Sequence, residues 1–175
     1  MKNNLNLELW HSKKLTQIEA QLANLLECPS SCATLIESMR YSTLSGGKRI
    51  RPLFTIAAGI LSGANEEDSI LIGSTIELIH CFSLIHDDLP IMDNDSLRRG
   101  KPTNHIVYGD AVALLAGDAL HALCFETLSS DNLKINVAAK LKIISLIANA
   151  IGLQGMVGGQ TIDWLSTGKK LTLTE

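Results

Sequence analysis

Residues 69–88 read SILIGSTIELIHCFSLIHDD. Apolar side chains recur at Ile72, Ile76, Ile79, Phe82 and Ile85, at the threes and fours of a helix. Few residues of this run are charged, so it reads as a core helix, buried on most sides. Pro90 biases Leu89 away from helical backbone and ends or kinks the helix there. Upstream, Leu15, Ile18, Leu22, Leu25 and Leu26 mark a helix over about Leu7–Leu26, ended by Glu27–Ser31. A short segment covers Ala33–Tyr41, and Pro52 suits the first turn of a helix over Leu53–Leu61. Ser62–Asp68 reads as a loop. Downstream, Asp110 is the expected N-cap of AVALLAGDALHALCFETL, and Lys134–Ala150 and Gly152–Trp164 complete the set. That makes six or seven helical segments and no strand-like alternation, so the chain reads as all-α.

The bulk properties agree with a packed helical protein. The chain has 175 residues, a length that suggests one domain, with 46% hydrophobic and 4% aromatic residues and four prolines. A net charge of −3 excludes a general nucleic-acid binder, so any phosphate recognition is local. Cys28, Cys32, Cys81 and Cys124 match no zinc or thioredoxin spacing and read as thiols of a reducing compartment. MKNNLNLELW lacks the apolar core of a signal peptide, and the apolar run near Ile143–Leu153 reads as too short and interrupted to span a bilayer. The expected location is the cytoplasm.

Chemistry concentrates at the end of the central helix, in LIHCFSLIHDDLPIMDNDSLRRGKPT, residues 78–103. Asp87, Asp88, Asp93 and Asp95 lie close to Arg98, Arg99 and Lys101. Carboxylates at this density repel one another and favour a hard cation, above all at a helix C-terminus, which disfavours negative charge. The arginines favour an anion such as phosphate, and a diphosphate carrying magnesium satisfies both demands. Arg98 and Arg99 are adjacent, so their side chains diverge toward different phosphate groups. A second basic cluster, SGGKRIRP at residues 45–52, combines the turn-forming Gly46 and Gly47 with Lys48, Arg49 and Arg51. It lacks the Walker pattern and suggests a second, metal-free diphosphate site. Ser83 has His80 one turn before it and Asp87 one turn after, but this charge context fits metal and phosphate better than acyl transfer. His86 reads as a packing residue, since an all-oxygen site suits magnesium.

GGKRIRP, ELIHCFSLIHDDLPIMDNDSLRRGKPTNH, GDAL and GMVGGQTID, in this order, resemble the N-terminal part of short-chain trans-isoprenyl diphosphate synthases, especially the bacterial farnesyl type. The resemblance covers nearly the whole chain. It implies an isoprenoid-synthase helical bundle, with residues 1–175 as the N-terminal portion of a polyprenyl synthetase domain. The implied activity joins an allylic diphosphate to isopentenyl diphosphate with Mg2+, in a protein that is a homodimer when its full length is present. No nucleic acid and no stable membrane insertion are implied. By motif, Asp87 and Asp93 resemble the principal magnesium ligands, assisted by Asp88, and Arg98 resembles the grip on the allylic diphosphate. Gly47, Lys48, Arg51, His80 and Arg99 resemble the isopentenyl diphosphate site. Gln160 and Asp163 match a helix whose polar face looks into the cavity, with Gln160 near the allylic diphosphate or its metal shell.

In the family, bulk just upstream of the aspartates sets product length. Phe82 and Ser83 occupy that place, and with the DDxxxxD spacing they favour a fifteen-carbon product. The family's second aspartate-rich motif and its lysine–threonine pair have no counterpart in the 175 residues, so the expected bundle is incomplete at the C-terminus and weak in turnover by itself. A non-catalytic or truncated partner subunit, and a geranyl or longer-chain synthase, stay open beside the farnesyl reading.

Overall fold

The computed structural model describes residues 6–27, 31–170 and 172. In chain order the elements are α1 (Leu7–Leu25), α2 (Ala33–Thr43), α3 (Ile50–Leu61), α4 (Glu66–Asp87), β1 (Leu97–Arg98), β2 (Lys101–Pro102), α5 (Asn104–Tyr108), α6 (Asp110–Ser129), α7 (Val137–Ile151) and α8 (Met156–Ser166). The all-α reading is correct. The hairpin β1–β2 escapes it because strands of two residues are too short to show alternation. Cys28, in the predicted break after α1, lies outside the described residues, as do the first five residues.

The chain divides into two compact units, one ending at Lys134 and one starting at Ile135. In the first, α4 packs most extensively against α6 and α3, with α1 and α2 also against it. Its core joins Ile18 and Leu22 of α1, Ile56 of α3, Leu78 and Ile85 of α4, and Leu120, Cys124 and Leu128 of α6, all nearly or fully buried. Each such aliphatic side chain contributes about 1.5–3 kcal/mol on burial. Thirteen residues of α4 are buried, which is the physical content of its near-uniform apolarity.

Five helix starts differ from the sequence reading: α7 begins at Val137 rather than Lys134, α8 at Met156 rather than Gly152, and three in the first unit have a local reason. Helix α4 begins at Glu66, because the Asn65 side chain accepts hydrogen bonds from the amides of Glu67 (2.8 Å) and Asp68 (3.2 Å). The acidic trio 66–68 read as loop instead sits on the positive end of the helix. Helix α3 begins at Ile50, which draws Arg51 into its first turn beside Pro52. Gly109, not Asp110, caps α6, and Asp110 is its first helical residue.

In the second unit, α7 is capped by Asn136, whose side chain accepts from the Ala139 amide at 2.9 Å. No residue of α7 or α8 is buried. By length and composition alone α4, α6 and the stretch Val137–Ser166 could cross a membrane. The last of these contains Ile143–Leu153, so the apolar stretch there is longer than the sequence reading allowed. For α4, 67% of the most apolar window is already buried against protein.

Candidate functional site

The acidic cluster is built by the way α4 stops. Its last residue is Asp87 and its C-cap Asp88. The chain then folds back: the Met92 and Asn94 amides bond to the Leu89 carbonyl, and the Asp93 amide donates to the Asp87 carbonyl at 2.9 Å. One of the carbonyls left without an intrahelical partner is thereby satisfied, and Asp93 is fastened beside Asp87 in space. Asp87 is half-buried and Asp93 exposed.

Asp88 is different. It is 3% exposed, and Arg98 takes both its oxygens: Nε donates to Oδ1 and Oδ2 at 2.9 Å each, and Nη2 to Oδ1 at 2.6 Å. This hydrogen bond, ahead of the opposing effect of burial, holds the Arg98 pKa above its ordinary value. Asp95, 3.7 Å from Nη2, is a looser partner.

The hairpin aims the two arginines apart. Leu97 pairs with Pro102 and Arg98 with Lys101, which leaves Arg99 and Gly100 as a two-residue turn, both at positive φ (53° and 76°). Arg98 faces Asp88, whereas Arg99 donates from Nη1 to the Gly46 carbonyl. Gly47 leaves room for that approach: a Cβ there would lie 2.8 Å from Nη1 of Arg99 and would have to displace it. Below the hairpin, Thr103 Oγ1 donates to the Asp95 carbonyl at 2.7 Å. Buried Asn104 is tied to α2 through the Ser38 hydroxyl (2.7 Å) and carbonyl (2.9 Å).

Gly47, Lys48, Arg51, His80 and Arg99 line one cavity of about 370 Å3 together with Arg49, Ile50 and Glu77. Burial, then the charges of Arg51 and Arg99, push the His80 pKa below its ordinary value, against the pull of Glu77. Arg49 does not add free charge here, as its place in SGGKRIRP suggested. It is 2% exposed and bonds to Glu19 (2.7 and 3.2 Å), Glu77 (2.8 Å) and the Thr43 carbonyl (2.7 Å). Burial opposes its charge, but the bonds from Glu19 and Glu77 outweigh it and raise the pKa. Glu19 and Glu77 stand 30 and 28 residues away along the chain, so no local pattern announces the triad. Among the described residues, the non-glycine residues at positive φ are Arg49, Asn94 and Arg99, all within the two charged loops. Backbone strain of this kind concentrates at functional sites.

The neighbouring candidates fall into place on α4. Ser83 Oγ donates to the His80 carbonyl at 2.9 Å, an intrahelical bond that gives it no base. His86 packs on α6, with Nε2 3.0 Å from the Leu114 carbonyl, in the space that a Cβ on Gly117 would fill. Phe82 is 9% exposed and meets the His86 and His121 rings edge-on at 5.7 and 5.0 Å. Burial pushes the Cys81 and Cys124 thiols up to about 11, which makes them inert packing groups. In the second unit, Gln160 is half-buried and Asp163 exposed on α8.

Among the described residues no three His, Cys, Asp or Glu side chains form a metal cage. The donors that do gather, Asp87 and Asp93, are all oxygen. Magnesium is usually held by one or two carboxylates plus substrate phosphates rather than by a protein cage, so this donor set fits it.

The sequence profile of Polyprenyl synthetase matches residues 32–175. The chain belongs to this family. It is a short-chain trans-isoprenyl diphosphate synthase domain close to the bacterial farnesyl diphosphate synthases. It is 43% identical to a farnesyl diphosphate synthase of Haemophilus influenzae over 94% of this chain and 57% of that protein. It is 48% identical to a geranylgeranyl diphosphate synthase of Cyanophora paradoxa over 81% of this chain and 47% of that one. The crystal structure of an FPP/GFPP synthase from Zymomonas mobilis superposes with a TM-score of 0.90 at 42% identity, covering 97% of this chain and 61% of that one. The chain thus spans about half to three-fifths of the length of these family members.

Proposed function

We propose that the chain carries the two diphosphate-binding sides of a prenyltransferase that condenses geranyl or dimethylallyl diphosphate with isopentenyl diphosphate to give farnesyl diphosphate. The observation that carries this reading is the fork of the hairpin, with Arg98 on the acidic turn and Arg99 on the glycine loop. Two anionic substrates held on either side of one hairpin are brought within reaction distance, which is a large part of catalysis for a two-substrate reaction.

Arg98 and the carboxylates Asp87 and Asp93 hold the allylic diphosphate and its magnesium. Bound Mg2+ supplies positive charge to the departing diphosphate. Lys48, Arg51, Arg99 and His80 hold the isopentenyl diphosphate, and Gly47 lets the backbone come close. The allylic carbon–oxygen bond breaks, the double bond of isopentenyl diphosphate attacks the cation, and the released diphosphate takes the proton. No enzyme nucleophile is needed, in keeping with the intrahelical bond of Ser83. The family resemblance assigns Gln160 to the recognition of the allylic diphosphate as well. Phe82, with Ser83, closes the floor beneath the aspartates and limits the product to fifteen carbons. The whole protein works as a cytoplasmic homodimer without membrane insertion.

The test incubates the chain with radiolabelled isopentenyl diphosphate and geranyl diphosphate, with and without Mg2+. It is run on the chain alone and on the chain joined to the C-terminal remainder of the Haemophilus influenzae relative. Magnesium-dependent farnesyl diphosphate from the joined protein, with negligible turnover by the chain alone, is the expected result. A folded joined protein that forms no prenyl product would sink the reading.

A further inference from the structure

The loop between α2 and α3 is anchored by a side chain that stands 30 residues upstream of Arg49, on α1. We infer that Glu19 is a positioning residue of the isopentenyl diphosphate site: through Arg49 it holds the left-handed backbone that turns Lys48 and Arg51 toward one cavity. The inference deepens the function proposed above and rests on it.

Arg49 has φ 47° and ψ 35°, a left-handed conformation that a β-carbon disfavours. It follows Gly46 and Gly47, at φ 83° and 152°, and precedes the first turn of α3. Lys48 and Arg51 flank it, both exposed, and line the same cavity as His80 and Arg99. Right-handed or extended backbone at Arg49 would swing Lys48 away from Arg51. Glycine takes the left-handed form freely. Here an arginine takes it, and its side chain supplies the anchor. Nε and Nη2 donate to the two oxygens of Glu19 at 2.7 and 3.2 Å. Nη2 also donates to the Thr43 carbonyl at 2.7 Å, and Nη1 to Glu77 at 2.8 Å. Thr43 and Glu77 each meet one nitrogen, whereas the forked pair with Glu19 spans two and fixes the guanidinium plane. Arg99 ties the other end of the loop at the Gly46 carbonyl. Holding both ends before a ligand arrives removes part of the ordering cost of binding. The Glu19 side chain is 35% exposed, so it can be replaced without opening a cavity in the core.

The experiment makes Glu19→Ala, Glu19→Gln and Lys14→Met in the chain and in the joined protein described above. Lys14→Met is the control. Lys14 also ties α1 to α4, through Glu66 at 2.6 Å, but its partners Gln17 and Glu66 lie outside the loop. Steady-state kinetics are measured on the joined protein. Calorimetry follows isopentenyl diphosphate without Mg2+ on the chain, and nitrogen-15 NMR follows the Arg49 Nε–H. Glu19→Ala is expected to raise KM for isopentenyl diphosphate about tenfold, the scale of one charge-assisted hydrogen bond. It should weaken calorimetric binding by the same factor and remove the protection of the Nε–H. KM for geranyl diphosphate and kcat should stay put. Glu19→Gln keeps an acceptor but not the charge, and should fall between. Lys14→Met should lower the melting temperature and leave both KM values alone. A Glu19 that serves folding alone would lower the folded fraction, so kcat would fall while both KM values held. That result, unchanged kinetics in Glu19→Ala, or an equal rise in KM for isopentenyl diphosphate in Lys14→Met would overturn the positioning role. No binding of isopentenyl diphosphate by the unmodified chain or the joined protein, with the Arg49 Nε–H protected, would instead overturn the second diphosphate site on which the role depends.

Discussion

Arg49 and Arg98 each sit in a charged loop beside α4, and each is clamped by carboxylate, yet they do opposite work. Arg49 has Glu19, Glu77 and the Thr43 carbonyl around it, and none of its side chain is exposed. Arg98 has one close carboxylate and a third of its side chain exposed. A buried guanidinium that makes four hydrogen bonds is a structural rivet joining α1, α4 and the start of α3. An arginine clamped along one edge keeps donors for a ligand. Counting donors already spent, rather than counting charges, separates fold from site.

The comparison breaks most visibly if the rivet is removed. Arg49→Met is expected to destabilise the protein by about 3–5 kcal/mol, since Glu77 is left buried and unpaired. Urea unfolding measures it, and a loss below about 1 kcal/mol would deny Arg49 its structural role. Phe82→Ala should cost about 3–5 kcal/mol at most, because the ring is nearly buried. In the whole synthase it should also shift the product beyond fifteen carbons. Unchanged product length, read by chromatography, would leave Phe82 as core packing alone.

Arg98→Ala sharpens the contrast. It should weaken diphosphate binding by about 1.5–3 kcal/mol, with a smaller change in stability than Arg49→Met. A thermal melt beside a binding isotherm separates the two effects. The smallest effect concerns His80. Its folded pKa lies below the ordinary 6.5, so below that pH the unfolded chain binds a proton that the folded chain refuses. Stability therefore falls as pH drops from 6.5 toward the folded value, and His80→Asn should flatten that decline in unfolding curves taken across the range.

Much of this was legible in the chain. The three-and-four spacing of Ile72, Ile76, Ile79, Phe82 and Ile85 announced α4, and Pro90 announced its end. The run GGKRIRP and the run around DDLPIMDNDSLRRG marked both halves of the candidate site. Helix starts were less legible, because Asn65 and Gly109 are also ordinary loop residues until a helix is known to begin there. The hairpin escaped notice since two residues a side carry no period.

Local order determined the helices, the glycine turns and the gathering of like residues in two short runs, because these depend on neighbours within a few positions. Apart from the motif resemblance, it did not separate Arg49 from Arg51, or Asp87 from Asp88, which are identical as letters. Only the tertiary structure decided that Arg49 spends its charge on Glu19 and Glu77, in the wall of the cavity that Lys48 and Arg51 also line. It likewise committed Asp88 to Arg98 and set Asp93 against Asp87. The reason is electrostatic: the state and task of a charged group are set by the charges that surround it in space, and here those arrive from distant parts of the chain.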